Sequence, residues 1–213
     1  MIVAILLSEL PGKKLPSFYQ TVIIMPFLLS WAIIGYLVYS FLSPSYGYLN
    51  EVLKSLGREP INWYIESKYW PFILTFVNMW KGVGYGSIIY LANIVGIDPS
   101  YHEAAIVDGA TRFQRIRYIT IPMIKNTAVT MTLLEVGSIM HADYGLFYQV
   151  PMESGALFDV TNVLDVYVND ALLVYGSIEK SSAAGMYQSV VGFILVLTAN
   201  YITKKISEEN ALF

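Results

Sequence analysis

Glu103-Ala104-Ala105-Ile106-Val107-Asp108-Gly109, followed after nine residues by Ile119-Thr120-Ile121-Pro122, lies between two long apolar blocks and decides how the chain is read. Asp98-Pro99 opens a helix here, because an Asp can cap free N–H groups and proline suits a first helical position. Tyr101–Asp108 then supplies about two turns. Ala104 and Ala105 leave room for another surface to approach, and Glu103 offers a charged hydrogen-bond acceptor. Gly109 can take the positive φ that ends a helix. Arg112, Arg115 and Arg117 follow. A polar, Ala-rich helix trailed by that much positive charge predicts a docking element on the cytoplasmic face of a membrane. On physics alone, an ordinary amphipathic connector is an equally good account.

Composition supports the membrane. The chain has 213 residues, 55% hydrophobic and 14% charged, with a mean hydropathy of +0.52. Soluble domains carry about 25% charge. A net charge of -3 offers no polybasic patch for nucleic acid. The absence of cysteine excludes disulfides, thiolate metal sites, Cys nucleophiles and Cys lipidation. Met1–Leu10 lacks the basic start and small-residue cleavage site of a secretory signal, and reads as the remnant of a helix.

A bilayer core about 30 Å thick needs about 20 helical residues. Four segments meet that: Val22–Leu42, Trp70–Ile97, Ile119–Met140 and Ser182–Ile202. Pro26 falls near the start of the first, and Pro122 in the first turn of the third, where proline does least harm. Lys13, Lys14, Arg112, Arg115, Arg117, Lys125, Lys204 and Lys205 fall on one side of this path; Lys54, Arg58, Lys68 and Lys180 fall on the other. The larger group belongs in the cytoplasm. Residues 98–118 are then a cytoplasmic segment, and Ser43–Tyr69 and Asp143–Glu179 face outward, each with room for a short surface helix (Tyr48–Leu56 and Asn162–Leu173).

Lys81 and Glu135 are ionisable groups inside expected spans. A charge at a helix centre costs about 2.5–3.5 kcal/mol on insertion scales, so both are expected to face the bundle interior. They line a substrate path, or pair with each other, or Lys81 reaches toward a headgroup. Asn78 and Asn200 hydrogen-bond across helices or meet substrate. Gly82 and Gly86, four apart, most simply allow a close helix contact. Tyr46, Tyr48, Trp63, Tyr64, Tyr69, Trp70, Phe147 and Tyr148 gather toward the outer face, as an interfacial belt or as sugar-stacking surfaces; an interfacial belt is the plainer reading. Tyr148, beside Gln149, is the one most open to substrate. No metal site is expected. Ile106 stands where the second His of His-Glu-x-x-His would be, and His141 is alone. No Ser/His/Asp set is present.

The spacing of Glu103-Ala-Ala, Gly109 and Ile119-Thr-Ile-Pro122 resembles the loop motif of permease subunits in binding-protein-dependent ABC importers, with Ile121 where that family usually has Leu. Pro26-Phe-Leu-Leu-Ser-Trp31, Trp80-Lys-Gly-Val-Gly-Tyr-Gly86, Ile89-Tyr-Leu-Ala92, Ile97-Asp-Pro99, Gly145-Leu-Phe-Tyr-Gln-Val-Pro151, Ser189-Val-Val-Gly-Phe193 and Asn210-Ala-Leu-Phe213 are similar to the maltose-type carbohydrate permeases, the polysaccharide-importer subgroup in particular. Asp170 departs from that subgroup, which usually has a basic residue near there. The resemblance implies an all-α, polytopic transmembrane bundle whose N-terminal helix or helices are missing. It also implies a multi-pass protein of the bacterial inner membrane.

By the same resemblance, Glu103, Ala104, Ala105, Asp108 and Gly109 couple to a separate ABC ATPase dimer. A second permease subunit, an extracytoplasmic sugar-binding protein and an oligosaccharide complete the expected partners. Membrane lipid is the surroundings, with no nucleic acid and no cofactor. The chain itself is expected to be a transport subunit and not an enzyme, since no Gly-x-x-x-x-Gly-Lys-Ser/Thr phosphate loop occurs in it. Lys81, Glu135, Tyr148 and Asn78 are the expected substrate-path residues. The rival readings are an ion-coupled secondary transporter with Lys81 and Glu135 as relay, an intramembrane enzyme, and a non-functional permease fragment.

Overall fold

The computed structural model describes residues 1–12 and 14–206; Lys13 and Asn210–Phe213, both used above, lie outside them. Among the described residues every regular element is helical. In chain order these are α1 (Ile2–Ser8), α2 (Lys14–Leu28), α3 (Trp31–Leu42), α4 (Tyr48–Ser55), α5 (Trp70–Val95), α6 (Pro99–Val107) and α7 (Arg112–Arg115). They continue as α8 (Ile121–Met123), α9 (Lys125–Gly137), α10 (Tyr144–Gln149), α11 (Phe158–Thr161), α12 (Leu164–Leu173) and α13 (Ile178–Ile206). Short 3-10 turns at Ser67–Tyr69 and Gly155–Leu157 lead into α5 and α11.

Two prolines shape the helices that carry them. α2 begins at Lys14, ahead of the apolar block, so Pro26 sits in its last turn and not near its start. The chain leaves helical geometry at Ser30 (φ -67°, ψ 153°), whose hydroxyl accepts from the Ile33 N–H at 3.3 Å and starts α3. Val22–Leu42 is therefore two helices. Pro122 lacks an N–H and its ring crowds the carbonyl four residues back, in an otherwise helical run. A π-helical turn, Ile116–Thr120, joins α7 to α8 immediately before it. Such turns insert where the ordinary ladder is interrupted.

Two units make up the chain, and the division falls inside α5 and α13. One comprises Met1–Phe27, Lys81–Gly137 and the chain from Ile194; the other comprises Leu28–Trp80 and Ser138–Phe193. The second has a contiguous core drawn from helical spacings: Ile34, Val38 and Leu42 on α3, Trp70, Leu74 and Val77 on α5, Leu146 beside Val150, with Tyr64 and Leu157. Trp70 is fully buried, its indole N–H donating to the Trp63 carbonyl at 2.6 Å. Trp70 and Tyr64 are thus interior, whereas Tyr46 is 88% exposed. Helix α10 lies close on α3. A Cβ at Gly35 would come within 2.6 Å of the Gln149 carbonyl oxygen, and one at Gly145 would overlap the Trp31 ring. Asp143 caps α10 through the Gly145 N–H at 2.9 Å and accepts from the Trp31 indole at 2.7 Å.

In the first unit, α5 approaches α2 at Gly84. A Cβ there would meet the Ile24 Cα at 2.7 Å, while Gly82 and Gly86 have nothing within 4 Å. The close contact expected of that pair belongs to the glycine between them, half a helical turn away on the opposite face.

The apolar surface is large. On α5, Phe72, Phe76 and Met79 share the face opposite Leu74 and Val77 and are 77%, 70% and 65% exposed. Helix α13 is long and apolar enough to cross a membrane, and only 11% of its most apolar window is buried. A soluble core helix of that composition would be mostly covered. α2 and α3 pass the same test together, as a broken pair. α5 is long enough, at about 39 Å, but Asn78, Lys81 and its glycines lower its hydropathy.

Candidate functional site

The segment that opened the sequence reading folds as α6. Asp98 caps it, its carboxylate accepting from the Ser100 N–H at 2.9 Å, and Pro99 takes the first position. Hydrogen bonds from Ser100 hold the Asp98 carboxyl below the usual carboxylate range. At the other end Gly109 adopts φ +80°, the Gly109 N–H donates to Ile106 and the Ala110 N–H donates to Ala105 at 2.8 Å. These two bonds form a Schellman stop. Thr111 and Gln114 then make a reciprocal capping box that starts α7.

Helix α6 buries none of its residues. Glu103 and Ala104 are exposed, Ala105 is half-buried, and Asp108 and Gly109 are exposed at its end. Tyr101, Ile106 and Val107 are exposed too, Val107 at 88%. Capped at both ends, with Tyr101, Ile106 and Val107 uncovered and no residue fully buried against the described part of the chain, α6 presents an open surface. Its geometry suits docking.

The residues expected to line a substrate path divide between the units. Lys81 and Glu135 lie in the first, on α5 and α9. The Lys81 ammonium donates to the Phe27 carbonyl at 3.0 Å and lies 5.6 Å over the Phe27 ring, which stacks on Tyr85 at 4.7 Å. Phe27 is in the last turn of α2, where carbonyls lack helical donors and the helix dipole favours a cation. Asn78 and Tyr148 lie in the second unit and line different cavities that share Phe147.

The Tyr148 cavity has a volume of about 370 Å³, inside the range of small-ligand sites. Tyr144 stacks on Tyr148 at 4.7 Å. The Glu153 carboxylate beside the Tyr148 hydroxyl pushes its pKa up. Glu153 reaches that position through an unusual turn: Met152 and Glu153 have φ of 54° and 53°. Non-glycine residues held there cost about 1–3 kcal/mol each. The turn is held by Ser154, whose hydroxyl donates to the Tyr64 carbonyl at 2.8 Å.

Two polar nodes escaped the sequence reading. Gln188, 2% exposed, donates to the Met140 carbonyl at 2.8 Å and to Asp165 at 3.0 Å; Asp165 also accepts from the Ala142 N–H at 2.7 Å. His141 faces the same carboxylate at 3.6 Å, so the lone histidine belongs to a structural knot. Among the described residues no three His, Cys, Asp or Glu side chains gather as for a metal ion. Asn50 is 1% exposed and ties the Ser43–Tyr69 loop together: its amide donates to the Ile61 carbonyl at 2.9 Å and to the Ser43 carbonyl at 3.3 Å, and accepts from the Ile61 N–H and the Trp63 indole. The only sequence signal for either node is a polar residue amid apolar ones.

Comparison with known proteins follows the same lines. Residues 1–143 match the family described as the binding-protein-dependent transport system inner membrane component. Protein LplB of Bacillus subtilis (strain 168) is 32% identical over 98% of this chain and 65% of its own length. The polygalacturonan/rhamnogalacturonan transport system permease protein YteP of the same organism is 32% identical over 98% of this chain and 64% of its own length. The chain therefore spans just under two thirds of these relatives. The crystal structure of a bacterial ABC transporter involved in the import of the acidic polysaccharide alginate superposes with a TM-score of 0.89 at 30% identity, covering 97% of this chain and 71% of that one.

Proposed function

Because the chain belongs to the family of binding-protein-dependent transport system inner-membrane components, and shares the fold of an ABC importer subunit, we propose that it is a permease subunit of an ATP-driven carbohydrate importer. In this reading it crosses the bacterial inner membrane several times and forms part of the sugar path. A second permease, an ATPase dimer and an extracytoplasmic sugar-binding protein complete the machine. The crossing segments are the broken pair α2–α3, helix α5, the helical run from Ile119 through α9, and α13. The lysine and arginine distribution supports a cytoplasmic position for α6.

The observation that carries the proposal is α6: capped at both ends, burying nothing, and showing Ile106 and Val107 to its surroundings. Seated in a groove of the ATPase, such a rod transmits the closing of the nucleotide-binding dimer to the bundle. Moving a two-state bundle from about 1:99 to 99:1 takes about 5.5 kcal/mol of differential binding. Glu103, Ala104, Ala105, Asp108 and Gly109 supply the acceptor, the close-approach surface and the stop. ATP chemistry resides in the partner. Lys81, Glu135, Asn78 and Tyr148 are assigned to the sugar path, where hydroxyls take the place of water.

Deleting Glu103–Gly109 tests the coupling role. The expected outcome is loss of ATPase co-purification with unchanged membrane insertion. An ATPase that still co-purifies in full overturns the assignment. Val107→Asp, which leaves the helix and its caps in place, is expected to weaken co-purification in the same direction.

A further inference from the structure

The cavity beside Tyr148 has a chemical character of its own. Its walls carry the aromatic rings of Tyr148, Tyr167 and Tyr175, and its polar groups include Glu153, Asp170 and the amide of Asn162. Among the described residues, no lysine, arginine or histidine lines it. Aromatic faces match the C–H faces of sugar rings, and carboxylates and amides take hydrogen bonds from hydroxyls. Two carboxylates with no cation between them repel a third, so a uronate or other acidic glycan is disfavoured by the same groups that hold an uncharged one. The strained Met152–Glu153 turn is a second, independent sign of use. Two consecutive non-glycine residues in the left-handed region persist only when their surroundings hold them, and such outliers cluster at ligand sites. Here the turn presents the Glu153 carboxylate to the cavity.

We infer that this cavity is a saccharide subsite in the Asp143–Glu179 loop that accepts an uncharged sugar segment and rejects an acidic one. The inference rests on the carbohydrate-importer reading and narrows its substrate class. The relative and the structural neighbour named for polygalacturonan/rhamnogalacturonan and for alginate do not set this chain's preference; the charge of its own cavity does.

The absence of cysteine from the chain provides the test. Tyr175 stands at the cavity rim, 78% exposed, and Tyr175→Cys gives these 213 residues a single thiol. The assembled transporter carrying this variant is treated with a maleimide in the presence of xylotetraose, tetragalacturonate or fully deacetylated chitotetraose, and label is read on this subunit alone. Xylotetraose at several times its dissociation constant is expected to slow labelling by about threefold or more. Tetragalacturonate is expected to have no effect. In Asp170→Lys the order reverses and tetragalacturonate protects. Asp170→Asn, which keeps the side-chain shape, gives a smaller move in the same direction if the lysine variant does not assemble. Equal or better protection of the parent by tetragalacturonate or by the cationic chitotetraose overturns the inference, as does protection by none of the three. The same preparations are scored for bound ATPase, so failure of the importer reading shows as a lost partner, independently of the labelling pattern.

Discussion

Asn50 shows how much one buried amide can organise. Its oxygen accepts from the Ile61 N–H at 3.0 Å and the Trp63 indole at 3.1 Å, while its nitrogen serves backbone carbonyls on both sides of α4. Replacing it by leucine of similar size strands those groups, each worth about 1–3 kcal/mol when left buried and unpaired. Asn50→Leu is therefore expected to lower the thermal unfolding midpoint of the purified subunit clearly more than Asn50→Asp, which keeps the acceptor. Tyr64 carries a pH signature. Burial raises its hydroxyl pKa, with a smaller contribution from Tyr39. The folded chain keeps this proton at a pH where an unfolded tyrosine, near 10, has lost it. The resulting stability is complete below about pH 10 and falls as pH climbs beyond it. Alkaline unfolding of Tyr64→Phe is expected to begin at higher pH than that of the parent; an unchanged onset would count against a buried, protonated hydroxyl. None of this was legible in the sequence. Tyr46 and Trp70 look alike there, as aromatics flanking an apolar block, yet one is open and the other fully enclosed.

At the scale of helices, the pattern of apolar residues located most elements, while the breaks needed three dimensions. Asp98-Pro99 and Gly109 marked both ends of α6 because capping chemistry is local. The interruption at Ser30 was hidden, since the residues on either side are uniformly apolar and nothing in their spacing separates two helices from one. Pro122 was visible, but its effect on the preceding turn depended on α7 already being helical. The Gly82–Gly84–Gly86 series makes the same point, because a period of two hides which glycine faces the neighbour. Gly84→Ala is expected to destabilise the α2–α5 contact by about 1–3 kcal/mol through overpacking. Gly82→Ala and Gly86→Ala are expected to be neutral or to stabilise by up to about 1 kcal/mol through helix propensity. Detergent-titration unfolding of the three variants separates them, and equal effects would contradict the approach at Gly84.

For the whole molecule, charge distribution and exposed apolar area point the same way. Single cysteines at Tyr46 and at Ala110 are expected to label from opposite sides of intact cells, Tyr46→Cys from outside and Ala110→Cys only after permeabilisation. Labelling of both from one side would undo the proposed topology. Membership of the permease family was readable in the sequence because its signature is a linear spacing around Glu103. The cavity beside Tyr148 was not, because it assembles from α10, Glu153, α11 and α12. The naked state of α6 has a consequence for the isolated subunit. Nine residues are too few to hold a helix in water by propensity alone. With no side chain fully buried against the described residues, the two end motifs are its main restraint. Its backbone amides should accordingly trade hydrogen for deuterium within the fastest class of the protein when the subunit is alone, and fall silent once the motor is bound.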